Sequence, residues 1–346
     1  MSQIKFRKIE SDDQDQRLDR WLKRSFPILN QIKIEKLCRK GEIRLNKGRV
    51  KPSRRLALGD IVRIPPIQND KVVLSKPSIL FSEYDIKIIK RAVIYQDDHL
   101  LVINKPPGLA SQGGSSQKDR HVDSLSEVFK KKGNTEKPKL VHRLDKDTSG
   151  ILILAKNRKT AEFMTKSFKL KTVEKIYWAL VAGVPKEDIG TIRFSLAKKK
   201  LSNGVEKVVP ILPHEEKNYL DAKRSITDYV VIEKVSQRTS WLGLSPITGR
   251  THQLRAHLAA IGCPIIGDTK YGIRKQTNNG EGWGAHIGGI ISRKLHLHAR
   301  SITFEHPMTG ELMFLEADLP SHMANAWDTF NWDLKWAPKN PFKIYE

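Results

Sequence analysis

Residues 140–155 read LVHRLDKDTSGILILA, a loop of charged side chains that leads directly into an apolar run. The apolar run, residues 151–155, has the length and character of a buried strand. A carboxylate at Asp145, held between Arg143 and Lys146, would stay ionised because nearby positive charge favours the anion. Spacing alone leaves two interpretations, a surface loop of ion pairs or a loop that carries catalytic groups.

Composition limits the class of protein. The chain has 346 residues, 39% hydrophobic and 29% charged, which fits a soluble globular protein with room for two domains. Its longest apolar runs fall far short of the roughly 20 residues that span a membrane. The N-terminus has no apolar segment typical of a secretory signal. The two cysteines, Cys38 and Cys263, lie far apart, so we expect no disulfide framework. Taken with the absence of long apolar runs, this predicts no membrane association and a cytoplasmic location.

The charge balance is strongly positive, with 62 Lys and Arg against 38 Asp and Glu and a net charge of +24. A surface this basic attracts polyanions, of which nucleic acid is the commonest in a cytoplasm. A basic surface that serves only solubility is the alternative. However, 11 basic residues and only three acidic ones occur between Lys33 and Arg63. This clustering favours a nucleic-acid contact.

Residues 16–65 have the pattern of a small separate domain. The predicted elements are helices near 18–26 and 34–38 and strands near 43–45 and 61–64. Gly41 is expected to end the second helix. Two short helices followed by short strands, basic throughout, indicate a small α/β nucleic-acid-binding module.

Three stretches of this region carry a resemblance: RLDRWL (17–22), RKGEIRLNKGRVKPS (39–53) and LGDIVRIPP (58–66). They resemble the small RNA-binding domain first named for a ribosomal protein of the small subunit. The resemblance implies an RNA-binding surface, and the basic residues expected on it are Arg39, Lys40, Arg44, Lys47 and Arg49.

The rest of the chain predicts a linker at 66–91 and a larger domain at 92–336. Its predicted strands are 99–104, 151–155, 176–181, 226–232, 241–244 and a hairpin of 302–304 with 312–315, and its predicted helices are 159–167 and 250–261. Strands outnumber helices and mostly neighbour one another in sequence, which favours an α+β fold with a mixed or antiparallel sheet. We expect loops at 111–138 and 187–222, and packing of the C-terminal tryptophans onto the core.

The sequence lacks the common cofactor and metal motifs. Neither GxGxxG opening a helix after a strand nor GxxxxGK[ST] occurs. His252 and His257 have the wrong spacing for a zinc helix. His296 and His298 lack a third ligand nearby, so a structural or RNA-contacting role is expected for them. We therefore predict no cofactor and no metal.

HRLDKDTSG, at residues 142–150, is similar to the signature of the RluA-type pseudouridine synthases. Further stretches resemble the same family in the same order, namely LLVINKPPG (100–108), KIYWALV (175–181), GRTHQLRAH (249–257), LHLHA (295–299) and FEHPMTG (304–310). The resemblance extends over most of residues 92–320.

The resemblance implies a role for each matching residue. Asp145 would be the catalytic carboxylate, Arg250 would pair with it, and Tyr177 would stack on the target base. Leu297 would pack against that base, and Arg143 would fill the gap left by the flipped nucleotide. The implied phosphate contacts are His142 and Lys146. The implied substrate is uridine in 23S RNA of the large ribosomal subunit, and a monomeric enzyme is expected.

The chemistry of the reaction agrees with the missing cofactor motifs. Converting uridine to pseudouridine breaks N1–C1′, turns the uracil and rejoins it through C5, with no net gain or loss of atoms. The target base must first leave its stack, which costs a few kcal/mol.

Two other functions remain open at this point. A non-catalytic RNA-binding or ribosome-assembly factor would use the same basic surfaces without the carboxylate chemistry. A glycosidase-like hydrolase would use Asp145 and Asp147 as paired carboxylates, although the positive surroundings oppose a protonated acid.

Overall fold

The computed structural model describes residues 4–67, 81–113, 120–130, 137–200, 204, 206–272 and 291–343. The chain divides into two compact units, Met1–Ile79 and Leu80–Glu346. The predicted small domain, 16–65, lies inside the first unit. Within these ranges no helix combines the length and apolar character needed to cross a bilayer.

The first unit packs two helices against one face of a small antiparallel sheet. The helices are α1 (Leu18–Ser25) and α2 (Gln31–Lys40), and the strands are β1 (Lys5–Lys8), β2 (Arg44–Leu45), β3 (Gly48–Arg49) and β4 (Ile61–Ile64). The strand order is β1-β4-β2-β3. Strand β1 lies outside the predicted domain and adds an edge that the sequence pattern did not indicate.

Helix α2 is capped at both ends, and Gly41 ends it as expected. Asn30 caps the helix, because its side-chain oxygen accepts a hydrogen bond from the Lys33 amide at 2.8 Å. Gly41 ends it with φ 73°, a left-handed conformation that glycine adopts without strain. Leu22, Ile34 and Val62 are fully buried between the helices and the sheet.

In the described part of the second unit, 11 strands form one mixed sheet. The strands are β5 (Val93–Gln96), β6 (Leu100–Lys105), β7 (Lys139–Leu140), β8 (Ser149–Ala155), β9 (Glu174–Ala182), β10 (Ile189–Lys200), β11 (Glu206–Ile211), β12 (Lys223–Val235), β13 (Thr239–Pro246), β14 (Leu297–Glu305) and β15 (Leu312–Glu316). The main path is β11-β10-β12-β13-β9-β14-β8-β6-β5, with β15 paired to β14 and β7 to β8. The predicted α+β class with a mixed or antiparallel sheet is confirmed, as is the β14–β15 hairpin.

Five helices accompany this sheet in the described residues: α3 (Glu83–Arg91), α4 (Val122–Leu125), α5 (Arg158–Leu170), α6 (Gln253–Ala260) and α7 (Ser321–Thr329). Helix α7 brings Trp327 against Trp241 of β13, with ring centroids 5.3 Å apart. Trp332 is also buried, whereas Trp336 is 57% exposed. The expected packing of the C-terminal tryptophans therefore holds for two of the three.

The one parallel pairing in the described sheet joins β14 to β8, where His298 pairs with Ser149 and Ala299 with Gly150. Gly150 has φ 107°, and a Cβ atom there would collide with the carbonyl oxygen of Ala299. Only glycine allows this close approach of two backbones. The end of the 140–150 loop is thereby fixed to an interior strand of the sheet.

Three sequence predictions need correction. The predicted linker 66–91 contains helix α3. Ser82 caps this helix by accepting a hydrogen bond from the Asp85 amide, and Ile89 of the helix is completely buried. Residues 68–80 of the predicted linker lie outside the described residues. The predicted loop 187–222 is mostly the strand pair β10–β11. In the predicted insertion 111–138, residues 114–119 and 131–136 are outside the described residues, and Val122 and Leu125 between them belong to the core.

Candidate active site

The loop between β7 and β8 carries Asp145, and the backbone on both sides of this residue is held. Leu144 is buried; its amide donates to the Ser111 hydroxyl at 3.0 Å, and that hydroxyl donates to the Leu144 carbonyl at 2.7 Å. On the other side, the Gly108 amide donates to the Lys146 carbonyl at 2.9 Å. Asp145 therefore extends from a loop whose course is fixed by the segment after β6.

Lys105 is the principal anchor of this loop. Its side chain is fully buried, and Nζ donates to the carbonyls of Pro106 at 3.0 Å, Leu109 at 2.8 Å and Lys146 at 3.0 Å. Burial lowers the pKa of Lys105 to about 7, although the charges of Asp147 and Asp145 oppose the shift. Lys105 therefore ties the segment after β6 to the loop that carries Asp145.

Two cationic or potentially cationic side chains face the Asp145 carboxylate. Arg255 Nη1 lies 3.9 Å from Oδ2, and His252 Nε2 lies 3.8 Å from the same oxygen. The Asp145 side chain is 29% exposed, so it remains accessible to a large substrate. The carboxylate is thus paired on one side and open on the other.

Asp268 fixes the orientation of Arg255. Its two carboxylate oxygens each accept a hydrogen bond from the guanidinium at 2.7 Å, in a bidentate arrangement. Burial alone would raise the pKa of Asp268, but the hydrogen bonds and charge of Arg255 lower it. Burial likewise opposes the charged form of Arg255, and Asp268 raises its pKa nonetheless. Arg255 is therefore a fixed positive charge beside Asp145.

His252 adopts an unusual backbone conformation, with φ 52° and ψ 21° immediately before α6. A residue other than glycine in this left-handed region costs of order 1 kcal/mol. The conformation directs the imidazole towards Asp145, and its Nδ1 lies 3.1 Å from the Tyr271 hydroxyl. Burial lowers the pKa of His252, against the opposing effect of Asp145.

The structure corrects the expected pairing of Arg250 with Asp145. Arg250 is exposed, and its Nε donates to the carbonyl of Arg224 at 3.3 Å. The predicted helix 250–261 actually begins at Gln253, so Arg250 precedes it, whereas Arg255 lies within α6 and is buried. The partner of Asp145 is the second arginine of the GRTHQLRAH stretch.

Tyr177 and Leu297 lie on adjacent strands at the same end of the sheet. Tyr177, on β9, pairs with Ala299 of β14 and Leu244 of β13. Its ring is half-buried and packs against the core cluster that contains Leu144 and against the one that contains Leu297. Burial raises the pKa of Tyr177, and the charge of Asp145 adds to this shift. Tyr177 therefore lies close enough to Asp145 to feel its charge, and it packs on the core cluster that contains the buried Leu297.

His142 makes its observed contacts within the fold. Its Nε2 accepts a hydrogen bond from the Ile153 amide at 3.0 Å, and its ring stacks on Phe168 at 4.5 Å. Burial, with a contribution from Lys175, lowers the pKa of His142 to about 3, so the ring is neutral. His142 is therefore a neutral ring whose Nε2 and ring face are engaged within the fold.

The remaining predicted RNA contacts are available at the surface. Arg143 and Lys146 are exposed on either side of Asp145. The five basic residues predicted in the first unit are likewise exposed: Arg39, Lys40, Arg44, Lys47 and Arg49. His296 and His298, by contrast, are completely buried. His298 contacts the Ser149 hydroxyl at 2.8 Å, so the structural interpretation of this pair is correct.

Sequence reasoning missed Arg255, His252 and Asp268 as parts of the site. Arg255 and His252 both stand in the GRTHQLRAH stretch, so that stretch was the available signal. Asp268 follows Gly267 in a turn without any distinguishing pattern. In the described residues, no group of three His, Cys, Asp or Glu side chains is arranged to hold a metal ion.

Comparison with known sequences and structures identifies the class. The profile of the RNA pseudouridylate synthase family matches residues 99–260, and that of the S4 domain matches residues 16–62. The chain belongs to the RNA pseudouridylate synthase family, and it is an isomerase of the pseudouridine synthase type with an S4 RNA-binding domain.

Particular relatives extend the likeness to nearly the whole chain. "Ribosomal large subunit pseudouridine synthase C" of Vibrio parahaemolyticus is 36% identical over 93% of this chain and 95% of that protein. The protein of the same name from Haemophilus influenzae is 36% identical over 93% and 94%. Among solved structures, human RNA Pseudouridylate Synthase Domain Containing 4 aligns with a TM-score of 0.54 and 26% identity, covering 72% of this chain and 96% of that one.

Proposed function

We propose that this chain converts uridine to pseudouridine in RNA of the large ribosomal subunit, with Asp145 as the catalytic carboxylate. The observation that carries the proposal is the arrangement of Asp145 beside Arg255 and His252, on a loop anchored by Lys105. The names of the relatives that match more than nine-tenths of the chain support the large-subunit substrate.

The reaction requires an anion that can act on a nucleotide held out of its helix. The N1–C1′ bond breaks, the uracil turns, C5 bonds to C1′, and the proton on C5 is lost while N1 gains one. Asp145 acts as the anion in any of three ways: attack on the sugar, attack on the base, or removal of a sugar proton. Arg255 supplies a fixed positive charge beside the carboxylate in each case, because it is held by Asp268 and does not need to reorient.

Tyr177 and Leu297 supply the site for the flipped base. Stacking of a base on an aromatic ring contributes roughly 1–3 kcal/mol, comparable to the cost of taking the base out of its stack. Leu297 completes an apolar wall, and the exclusion of water protects the separated uracil and sugar from hydrolysis. Arg143, exposed next to the loop, fills the vacated position in the RNA helix, and Lys146 contacts a phosphate.

The first unit holds the RNA during this reaction. Its five exposed basic residues neutralise phosphates, and such contacts provide affinity and register without reading the base sequence. We further propose that the enzyme acts as a monomer in the cytoplasm. The proposed ribosomal RNA substrate supports the cytoplasmic location.

A single substitution tests the proposal. Asp145→Asn keeps the shape of the side chain but removes the negative charge, so it is expected to abolish pseudouridine formation while RNA affinity changes less than about threefold. Carbodiimide modification followed by primer extension on ribosomal RNA, from cells in which only the variant is present, detects the product. Asp147→Asn, two residues along the same loop and exposed, is the matched control and retains activity.

The outcome also separates the alternatives. Normal pseudouridine in the Asp145→Asn strain would contradict the catalytic assignment and favour a non-catalytic RNA-binding or assembly factor. Loss of activity in both variants would point to general disruption of the loop, and RNA binding by each variant distinguishes that case.

A further inference from the structure

The outer face of the sheet in the first unit carries a row of side chains that crosses all four strands. Phe6 of β1 pairs directly with Arg63 of β4, Arg63 pairs with Arg44 of β2, and Arg44 pairs with Arg49 of β3. Directly paired residues of a sheet point to the same face. These four residues, which we name the Phe6 row, therefore lie side by side.

The opposite face of this sheet is the one that packs on the helices. Val62 and Ile64 alternate with Arg63 and are fully buried, so the face of the Phe6 row points away from the core. Phe6 is 65% exposed, and Ile61, the next residue on that face of β4, is 47% exposed. The row is an open surface with an aromatic ring at one end.

The three neighbouring arginines of the row do not stabilise the folded sheet. Like charges placed directly opposite one another destabilise a sheet. Arg63 and Arg44 donate to the backbone carbonyls of Glu42 and Gly41, at 2.7 and 3.0 Å. In the described part of the chain none of the three has a carboxylate within ion-pair distance. The four strands contain no acidic residue. The row therefore presents uncompensated positive charge.

We propose that the Phe6 row binds an unpaired nucleotide of the RNA substrate, with its base stacked on Phe6 and its adjoining phosphates on Arg63, Arg44 and Arg49. The proposal rests on the proposed function only in taking RNA as the ligand. A sheet face that combines an exposed aromatic ring with basic side chains is a recurrent way to hold single-stranded RNA. Strand β1 lies outside the residues that match the S4 domain, 16–62, so this site extends the surface of that domain.

Phe6 and the arginines of the row should contribute differently to the binding of duplex RNA and of RNA with unpaired nucleotides. A base in a duplex is already stacked and cannot lie on Phe6, whereas an unpaired base in a loop can. Phosphates are present in both RNAs. Phe6 should therefore contribute only to the binding of RNA with unpaired nucleotides, and the arginines should contribute to both.

The test compares a stem-loop RNA with a duplex of equal length, using the full chain. Phe6→Ala is expected to weaken binding of the stem-loop about 5- to 100-fold, the effect of losing one stacked base, and to change duplex binding less than twofold. Phe6→Tyr keeps an aromatic face and should retain affinity. Leu58→Ala is the matched control, because Leu58 is 61% exposed in the same unit but lies outside the four strands.

Photocrosslinking of the unaltered protein to the stem-loop provides a second measurement that does not depend on the folding of a variant. The expected result is a nucleotide attached to the peptide that contains Phe6. The proposal is overturned if Phe6→Ala binds the stem-loop as tightly as the wild type, or if the crosslinked peptides exclude β1. Because both measurements report binding, they are independent of the result for Asp145→Asn.

Discussion

The guanidinium of Arg255 lies 3.9 Å from Oδ2 of Asp145, and it is held there by a second carboxylate, that of Asp268. The contact with Asp145 is longer than a hydrogen bond, whereas the contact with Asp268 is short and bidentate. Arg255 is thus anchored by Asp268 and presents its charge to the loop of Asp145. This division of roles leads to two of the predictions below.

Removing the charge of Arg255 should affect the reaction far more than removing that of Arg250. We expect Arg255→Gln to lower the rate of pseudouridine formation at least ~100-fold, the usual effect of losing one preorganised electrostatic group. Arg250→Gln, in the same sequence stretch but exposed, should lower it less than about threefold. Single-turnover rates on a uridine-containing fragment of ribosomal RNA measure both. The reverse ranking would restore the pairing that the sequence alone indicated.

The Arg255–Asp268 pair should show strong coupling in stability. Arg255→Gln leaves a buried carboxylate without its partner, and we expect a loss of ~3–5 kcal/mol in the free energy of unfolding. Adding Asp268→Asn should recover part of this stability while activity stays low, since the charge beside Asp145 is still missing. Urea denaturation of the two single variants and the double variant provides the coupling energy. Additive losses would argue against the pair as a unit.

The basic residues of the first unit should control the salt dependence of binding. We expect simultaneous replacement of Arg39, Lys40, Arg44, Lys47 and Arg49 by Gln to flatten the plot of log affinity against log salt, with a change in slope of roughly 3–5. Filter binding or fluorescence anisotropy between low and moderate salt measures this slope. Lys198→Gln with Lys234→Gln is the control, because these lysines already form ion pairs with Glu206 and Asp188. An equal slope for the five-site variant and the wild type would contradict an RNA-binding role for this surface.

Acid should destabilise the protein through its buried histidines. Burial lowers the pKa of His298 to about 3 and those of His296 and His257 to about 4, from an ordinary value of 6.5. The folded state keeps these rings neutral while the unfolded chain protonates them. The free energy of unfolding is therefore not reduced by these histidines above pH 6.5, and it falls as the pH drops from 6.5 towards 4. Each contributes up to about 1.4 kcal/mol per pH unit in that window.

Denaturation midpoints measured from pH 7 to pH 4.5 test this expectation. In the His298→Asn variant the slope of stability against pH should be shallower by about one bound proton, because one of the buried histidines is gone. A stability profile that stays flat below pH 6 would mean that these rings are not neutral in the folded protein.

The sequence indicated the loop of Asp145 because its motif is long and occurs beside a strongly apolar strand. It did not distinguish Arg255 from Arg250, since both lie in one stretch and the choice depends on where α6 begins. That beginning is determined by the left-handed backbone of His252, a local conformation that residue type does not predict. Asp268 reaches Arg255 only through the tertiary fold.

Other differences have similar causes. Strand β1, with the sequence KFRK and four exposed residues, shows no apolar alternation. It forms through backbone hydrogen bonds to β4, with which it pairs in antiparallel orientation. Helix α3 had a readable cap at Ser82, but its single fully buried residue, Ile89, gave only a weak apolar pattern. The β10–β11 pair is rich in lysine at its far end, which made strands resemble a loop.

The parallel junction of β14 with β8 has a consequence for the synthesis of the protein. Strand β14 lies between β8 and β9, yet it leaves the ribosome long after both of them. Until residue 299 has emerged, the loop of Asp145 has no completed sheet behind it, and the edges of β8 and β9 remain unpaired. Pairings between such distant residues form slowly. In a nascent chain the first unit can therefore form early, whereas the sheet behind Asp145 is completed only after β14 has been made.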